Sequence, residues 1–273
     1  MNSIARPNKN GALTPRQLIL ELLDADGELM GRSRRLLAAG EIFGFSANQM
    51  RVALTRLVAD GLLYKAQRGH YALSGTGAAL REEIQRWRHL EDQLCVWRGD
   101  WCVLVTANLA LESSTRFRAQ NRALRLRGMQ RWRPGLWVRP NNISGGLPAL
   151  VADVSSLGLD SLTGSFVICE TDSSCRDELI GLWDMQTMRK QYMHSLHRVE
   201  DALNKMEQAD QTAVLKETVV LGGEMIRSLL TDPLLPAAML GSDTRTRLIT
   251  RVKEYDAAGR LRWRAFMDKL HEV

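Results

Sequence analysis

The stretch that most narrows what this chain can fold into is a capped, glycine-stopped helical pattern followed at once by two short strand patterns. Residues 46–61 read Ser-Ala-Asn-Gln-Met-Arg-Val-Ala-Leu-Thr-Arg-Leu-Val-Ala-Asp-Gly, and 62–71 continue Leu-Leu-Tyr-Lys-Ala-Gln-Arg-Gly-His-Tyr. Ser46 suits an N-cap, because its hydroxyl accepts from the unpaired amides of the first turn. Met50, Leu54, Leu57 and Val58 recur at helical spacing and set one apolar face over 46–60. Gly61 stops the helix, since glycine enters the left-handed region without a side-chain penalty. Upstream, Arg34-Arg-Leu-Leu-Ala-Ala-Gly40 predicts a second helix that braces the first pattern. Thr14-Pro15 predicts the start of another, proline being suited to a first helical position. Leu18, Ile19, Leu22 and Leu23 supply its buried side.

The face opposite the apolar stripe carries Asn48, Gln49, Val52, Thr55 and Arg56, with Arg51 on the flank. It is short, amide-rich and cationic, without the glutamates of an ordinary solvent face. Asn and Gln can pair bidentately with adenine, Arg with guanine, and Val or Thr can touch a thymine methyl. The strand pair beyond the helix adds Lys65, Arg68 and His70. Together these features predict an N-terminal winged helix-turn-helix that reads duplex DNA. In that reading Arg56 and Asn48, then Gln49, read bases. Arg51, Lys65, Arg68 and His70 contact phosphate or the minor groove. The plainer alternative is a three-helix module that binds protein or serves as scaffold.

Charge supports the first alternative. The 273 residues carry 37 Lys+Arg against 31 Asp+Glu, a net charge of +6. Residues 1–140 hold 22 basic and 12 acidic side chains, while 141–273 hold 15 and 19. The polyanion-facing half is therefore the N-terminal half, at +10 against −4. No run approaches 18 uninterrupted apolar residues, so no membrane partner is expected. Residues 1–12 lack an apolar signal core and read as a loose polar arm. Cys95, Cys102, Cys169 and Cys175 show no paired metal-ligand spacing. They read as small buried residues of a reducing, cytoplasmic compartment.

The rest of the chain divides by pattern. Residues 13–93 comprise the winged module and a connecting helix over 76–93. Residues 94–172 read as strand (Trp101-Cys-Val-Leu-Val-Thr-Ala107), helix (113–127), hairpin (129–133 and 135–139), helix (148–157) and strand (165–169). That β-α-β-β-α-β order predicts a central ferredoxin-like βαββαβ domain. Residues 173–273 lose strand character and predict a helical C-terminal domain, with helices near 195–207, 211–230 and 245–270. Asp232-Pro-Leu-Leu-Pro236 interrupts them. The expected class is α+β and multidomain.

Arg118, Arg122 and Arg125 form a stripe at i, i+4, i+7, with Arg116, Arg127, Arg131 and Arg133 nearby. The stripe suits DNA phosphate, the phosphates of a coenzyme A ligand, or simply water. Trp183 and Tyr192, with Leu179 and Leu182, line an aromatic effector pocket or fill ordinary core. His194, His197 and Glu200 read as an exposed helical face, since no second ligand cluster accompanies them. No catalytic arrangement and no cofactor or metal site emerges from spacing.

Three separated segments carry a family resemblance. They are Arg51-Val-Ala-Leu-Thr-Arg-Leu57, Arg133-Pro-Gly-Leu-Trp-Val-Arg-Pro140 and Asp232-Pro-Leu-Leu-Pro236. In this order, over residues 14–240, the chain resembles the PaaX family of bacterial phenylacetic-acid-catabolism repressors. The resemblance implies a homodimeric transcriptional repressor on a palindromic operator, released by an aryl-acyl-CoA effector such as phenylacetyl-CoA. An activator or dual regulator would use the same scaffold. The family's usual Trp-Pro-Gly continuation is replaced by Met239-Leu-Gly-Ser-Asp-Thr-Arg245, which leaves the inducer open. The central domain also resembles the small ferredoxin-like nucleases of CRISPR adaptation. Those hold a metal with a carboxylate at the end of their first strand, and here that strand ends Val105-Thr-Ala-Asn108. A metal-dependent nuclease therefore lacks its hard oxygen ligand.

Overall fold

A computed structural model of the protein describes residues 13–25, 31–106, 115–157 and 162–269. The chain is α+β. Its N-terminal elements are α1 (Pro15–Ala25), α2 (Ser33–Ile42), α3 (Ala47–Ala59), β1 (Leu63–Gln67), β2 (His70–Leu73) and α4 (Gly75–Gln85). The middle contributes β3 (Trp101–Thr106), α5 (Thr115–Leu126), β4 (Gln130–Arg133), β5 (Leu136–Pro140), α6 (Gly146–Ser156) and β6 (Leu162–Ile168). The remainder is helical: α7 (Ser173–Ile180), α8 (Met185–Lys205), α9 (Gln211–Leu230), α10 (Ala237–Leu240) and α11 (Thr244–Lys269). The described chain forms two compact units. The first takes residues up to 86, with 196–227 and those from 249 onward. The second takes 87–195 and 228–248. Residues 173–273, expected as a helical domain of their own, are thus shared between the two units.

In the first unit α1, α2 and α3 pack on one another around Leu18, Ile19, Leu22, Leu23, Leu36, Met50, Leu54 and Leu57. Val58, expected in this stripe, is exposed, and Ala53 is buried in its place. At 100° per residue both lie about 70° from the centre set by Met50, Leu54 and Leu57, so packing decides: the core covers the Ala53 shoulder and leaves that of Val58 open. The three helices do not close this core alone. Leu215 and Val219 of α9 and Trp263 and Met267 of α11 belong to the same cluster. Trp263 stacks on Phe43, with ring centroids 6.5 Å apart. Its indole N–H donates to the Thr218 hydroxyl at 3.2 Å.

The second unit is built on a four-stranded sheet of order β4-β5-β3-β6, in which every neighbouring pair is antiparallel. Alternation places Cys102, Leu104 and Trp137 on one face, where they meet Leu124 of α5 and Leu150 and Val154 of α6. On the opposite face Trp101 stacks against Trp183 at 6.1 Å. The expected helix over 76–93 is α4 followed by a 3-10 turn at Arg86–His89. Where a helix near 195–207 was expected, α8 runs over Met185–Lys205, and α7 before it ends at Ile180.

The Pro-flanked segment 232–236 has no regular structure, so its carbonyls need other partners. Buried side chains supply them. Arg139, 2% exposed, donates to the Pro233 carbonyl at 3.4 Å, to Asn142 at 3.1 Å and to the Arg127 carbonyl. Asn142 donates to the Leu234 carbonyl at 2.7 Å, and Arg245 to the Leu235 carbonyl at 2.6 Å. Gly128 has φ of +72°, and a Cβ there would run into the Pro233 backbone.

Candidate nucleic-acid interface

The helix expected to read DNA is α3, and its start is built by side chains. Ser46 Oγ accepts from the Gln49 amide at 3.2 Å, and Gln49 Oε1 accepts from the Ser46 amide at 2.8 Å. This reciprocal capping box satisfies two otherwise unpaired donors. It also engages one lone pair of the Gln49 carboxamide oxygen within its own helix. The second lone pair of that oxygen and the carboxamide N–H₂ are what Gln49 has left to offer a base edge.

Asn48, Arg51, Val52, Thr55 and Arg56 are all exposed, and they share the outer side of α3 with Gln49. Val52 is 41% exposed, a value that a packing role does not explain. The Thr55 hydroxyl donates to the Arg51 carbonyl at 3.0 Å, which turns its methyl outward from that bond. No acidic residue occurs in α3. The first acid beyond it, Asp60, is held in an ion pair by Arg16 of α1. Anionic charge is thus kept off the outer face.

The hairpin follows from the chain reversal at Arg68-Gly69. Gly69 has φ of +74°, which lets two residues close the turn. Pairing runs Leu63↔Leu73, Tyr64↔Ala72, Lys65↔Tyr71 and Gln67↔His70, with an irregularity after Lys65. The other side of β2 is also used: the Tyr71 amide donates to the Gly31 carbonyl at 2.7 Å, and the Ser33 amide to the Gly69 carbonyl at 2.8 Å. The segment before α2 thereby braces the hairpin. Lys65 and Arg68 are exposed. His70 is half-buried and bridges to Arg32, so it is a structural partner of this brace as well as a hairpin residue.

The residues expected to meet an effector fall in the second unit and divide sharply. Trp183 and Tyr192 are 5% and 7% exposed. Trp183 packs on Trp101, and the Tyr192 hydroxyl donates to Asp232 Oδ2 at 2.6 Å. Burial pushes the Asp232 carboxyl upward against the pull of Arg245. Burial likewise raises the Tyr192 phenol, so this hydroxyl stays protonated. Both aromatic rings are packed into the core of this unit. Arg118, Arg122 and Arg125 are exposed along α5. Beside them Arg127 is buried against Asp153 at 2.6 Å, and Arg133 pairs with Glu178.

His194 and His197 lie exposed on α8, and among the described residues no group of three or more His, Cys, Asp or Glu is placed to hold a metal ion. Asn108, at the strand end weighed for nuclease chemistry, lies outside the described residues, as does the arm 1–12. No described helix is long and apolar enough to cross a membrane. What the sequence reading missed is the buried grip of Arg139, Asn142 and Arg245 on segment 232–236. The signal was present as Arg-Pro-Asn-Asn beside an Asp-Pro-Leu-Leu-Pro run, but only tertiary structure joins them.

No family model matches the chain, and no curated protein does. Among solved structures it is similar to an uncharacterized protein, Rv0674, from Mycobacterium tuberculosis. The TM-score is 0.64 at 24% identity, over 93% of this chain and 99% of that one. The similarity is one of fold.

Proposed function

We propose that this protein is a DNA-binding transcriptional regulator that uses α1–α3 with β1 and β2 as a winged helix-turn-helix. The observation that carries the reading is the outer face of α3. It is capped, acid-free and exposed, it presents Asn48, Val52, Thr55 and Arg56 together, and it adjoins a hairpin bearing Lys65 and Arg68. A face of this composition suits base edges in a major groove, and the hairpin cations suit the flanking phosphates. The helix–helix–helix–hairpin order and the brace from Gly31 to Ser33 support the winged-helix assignment. The strand order β4-β5-β3-β6, with α5 and α6 on one face, supports a ferredoxin-like second unit.

The reading extends to a homodimer on a palindromic operator in the bacterial cytoplasm. In keeping with the PaaX resemblance, its sign is repression of an aromatic-acid catabolic operon, relieved by an aryl-acyl-CoA such as phenylacetyl-CoA. Reporter output with and without the protein distinguishes repression from activation.

Binding of the purified chain to its upstream intergenic DNA, followed by fluorescence anisotropy, tests the reading. Arg56→Ala should cost about 1–3 kcal/mol at the operator and relax base preference at one position. Equal affinity for operator and scrambled duplex by the wild type sinks the proposal. Titration with phenylacetyl-CoA against free phenylacetate tests the effector class.

A further inference from the structure

We propose that the outer edge of β6 pairs with the same edge of a second copy of the chain, joining two four-stranded sheets into one. The inference rests on the homodimer of the reading above and names the surface that makes it. The sheet order β4-β5-β3-β6 leaves two edges, and they differ. β4 has four residues, Gln-Arg-Trp-Arg, with a register shift between Arg131 and Arg133. Arg133 is tied to Glu178. Short length, charge and a bulge are the devices that keep a sheet edge from pairing with another chain. β6 has seven residues, Leu-Thr-Gly-Ser-Phe-Val-Ile, without a charge or a proline. Residues 163–166 are exposed in succession. Among the described residues no strand other than β3 pairs with β6.

The composition of this edge narrows what can cover it. A backbone ladder needs an extended strand, and an apolar, uncharged centre is best met by another of the same kind. β6 itself meets both demands, and a homodimer supplies a second β6. The edge also has a centre. Its pairing with β3 is irregular at Thr163, because Val105 pairs with Gly164 and Thr106 with Leu162. The regular stretch is therefore 164–168, and Phe166 is its midpoint. An antiparallel pair of copies about a two-fold axis at that midpoint sets Phe166 opposite Phe166, Ser165 opposite Val167 and Gly164 opposite Ile168. Directly opposed residues then share a sheet face, and no like charges meet. Phe166 is 45% exposed and stands opposite Val103 in the sheet. Two such rings meeting across the axis form an aromatic cross-strand pair. Each β6 has one free edge, so the contact closes at two copies.

Sedimentation of the full-length protein over a concentration series tests this, with wild type compared to F166E and F166K. Each variant sets two like charges opposite one another, so the dimer dissociation constant should rise about tenfold or more. The ring is already half in water, so the monomer fold should survive, as unchanged far-UV circular dichroism would show. An equimolar mixture of the two variants should restore dimers, because glutamate then faces lysine across the axis. Dimers of either variant as tight as wild type overturn the inference while leaving the homodimer reading standing. Dissociation of both without recovery in the mixture overturns the pairing of residue 166 with its own copy. Wild type that stays monomeric at every concentration sinks the homodimer and the inference together.

Discussion

Trp263→Ala is the sharpest test of how the candidate DNA-reading helices are held. Trp263 is 6% exposed and belongs to the same apolar cluster as Met50, Leu54 and Leu57 of α3. It stacks on Phe43, meets Phe266 edge-on at 6.1 Å, and donates to Thr218. A tryptophan buries roughly 200 Å². At about 25 cal/mol per Å² that is about 5 kcal/mol, an upper figure because the unfolded chain already hides some of this surface. The alanine retains little of it, and a cavity remains, so a loss of about 3–5 kcal/mol is expected. Urea unfolding followed by far-UV circular dichroism should show the midpoint of the affected transition fall by about 1 M or more. Trp263→Phe keeps one aromatic ring in the core and loses the bond to Thr218, worth about 1 kcal/mol, together with the packing of the second indole ring, so it should fall between wild type and Trp263→Ala. If Trp263→Ala costs under 1 kcal/mol, the α11 contribution to this core is peripheral and the reasoning fails.

Removing the Ser46 hydroxyl (Ser46→Ala) should cost about 1 kcal/mol of stability by leaving the Gln49 backbone amide without its cap, as measured by thermal melting. Lys65→Ala should weaken binding to all duplexes alike and reduce the salt slope by about one, whereas a sequence-selective loss would contradict a phosphate contact. Arg139→Met orphans the buried carbonyls of Arg127 and Pro233 and should destabilise by about 3 kcal/mol, read as a fall in melting temperature. Cys102 is buried, and desolvation pushes its thiol up to about 11, against the pull of Arg139. A raised thiol pKa means a neutral, unreactive sulfur at pH 8. A thiol reagent at that pH should modify the exposed Cys95 and Cys169 and spare Cys102 until the chain is unfolded. Equal labelling rates for Cys102 and Cys169 would refute that.

The elements of α3 and its hairpin were legible because their determinants are local. A cap at Ser46, an apolar period and a glycine after Asp60 act within one turn of where they are read. The same locality let the strand and helix order of the second unit be read, since its alternation and stops are sequential. Boundaries drifted where tertiary contact decides them. Leu162 joins β6 because it pairs with Thr106, a partner 56 positions away in the numbering. Val58 looked apolar and helical, yet no neighbour covers its shoulder of α3. Gln49 carries a second role, in the cap of α3, that its residue type alone does not announce. The placement of Trp263 beneath Phe43, and the grip of Arg139 on segment 232–236, join residues 220 and 94 positions apart. No local pattern announces such pairings.

The shared core of the first unit bears on how the protein is made. Leu215, Val219, Trp263 and Met267 complete a cluster that begins at Leu18. At a synthesis rate of about 5–20 residues per second, the chain between residues 86 and 267 takes roughly 9–36 s to appear. Throughout that interval the nascent N-terminal helices carry an apolar surface with its cover still inside the ribosome. A holdase chaperone is suited to occupy that surface for those seconds. A premature stop before α11 would leave it permanently open, marking the truncated product for proteolysis.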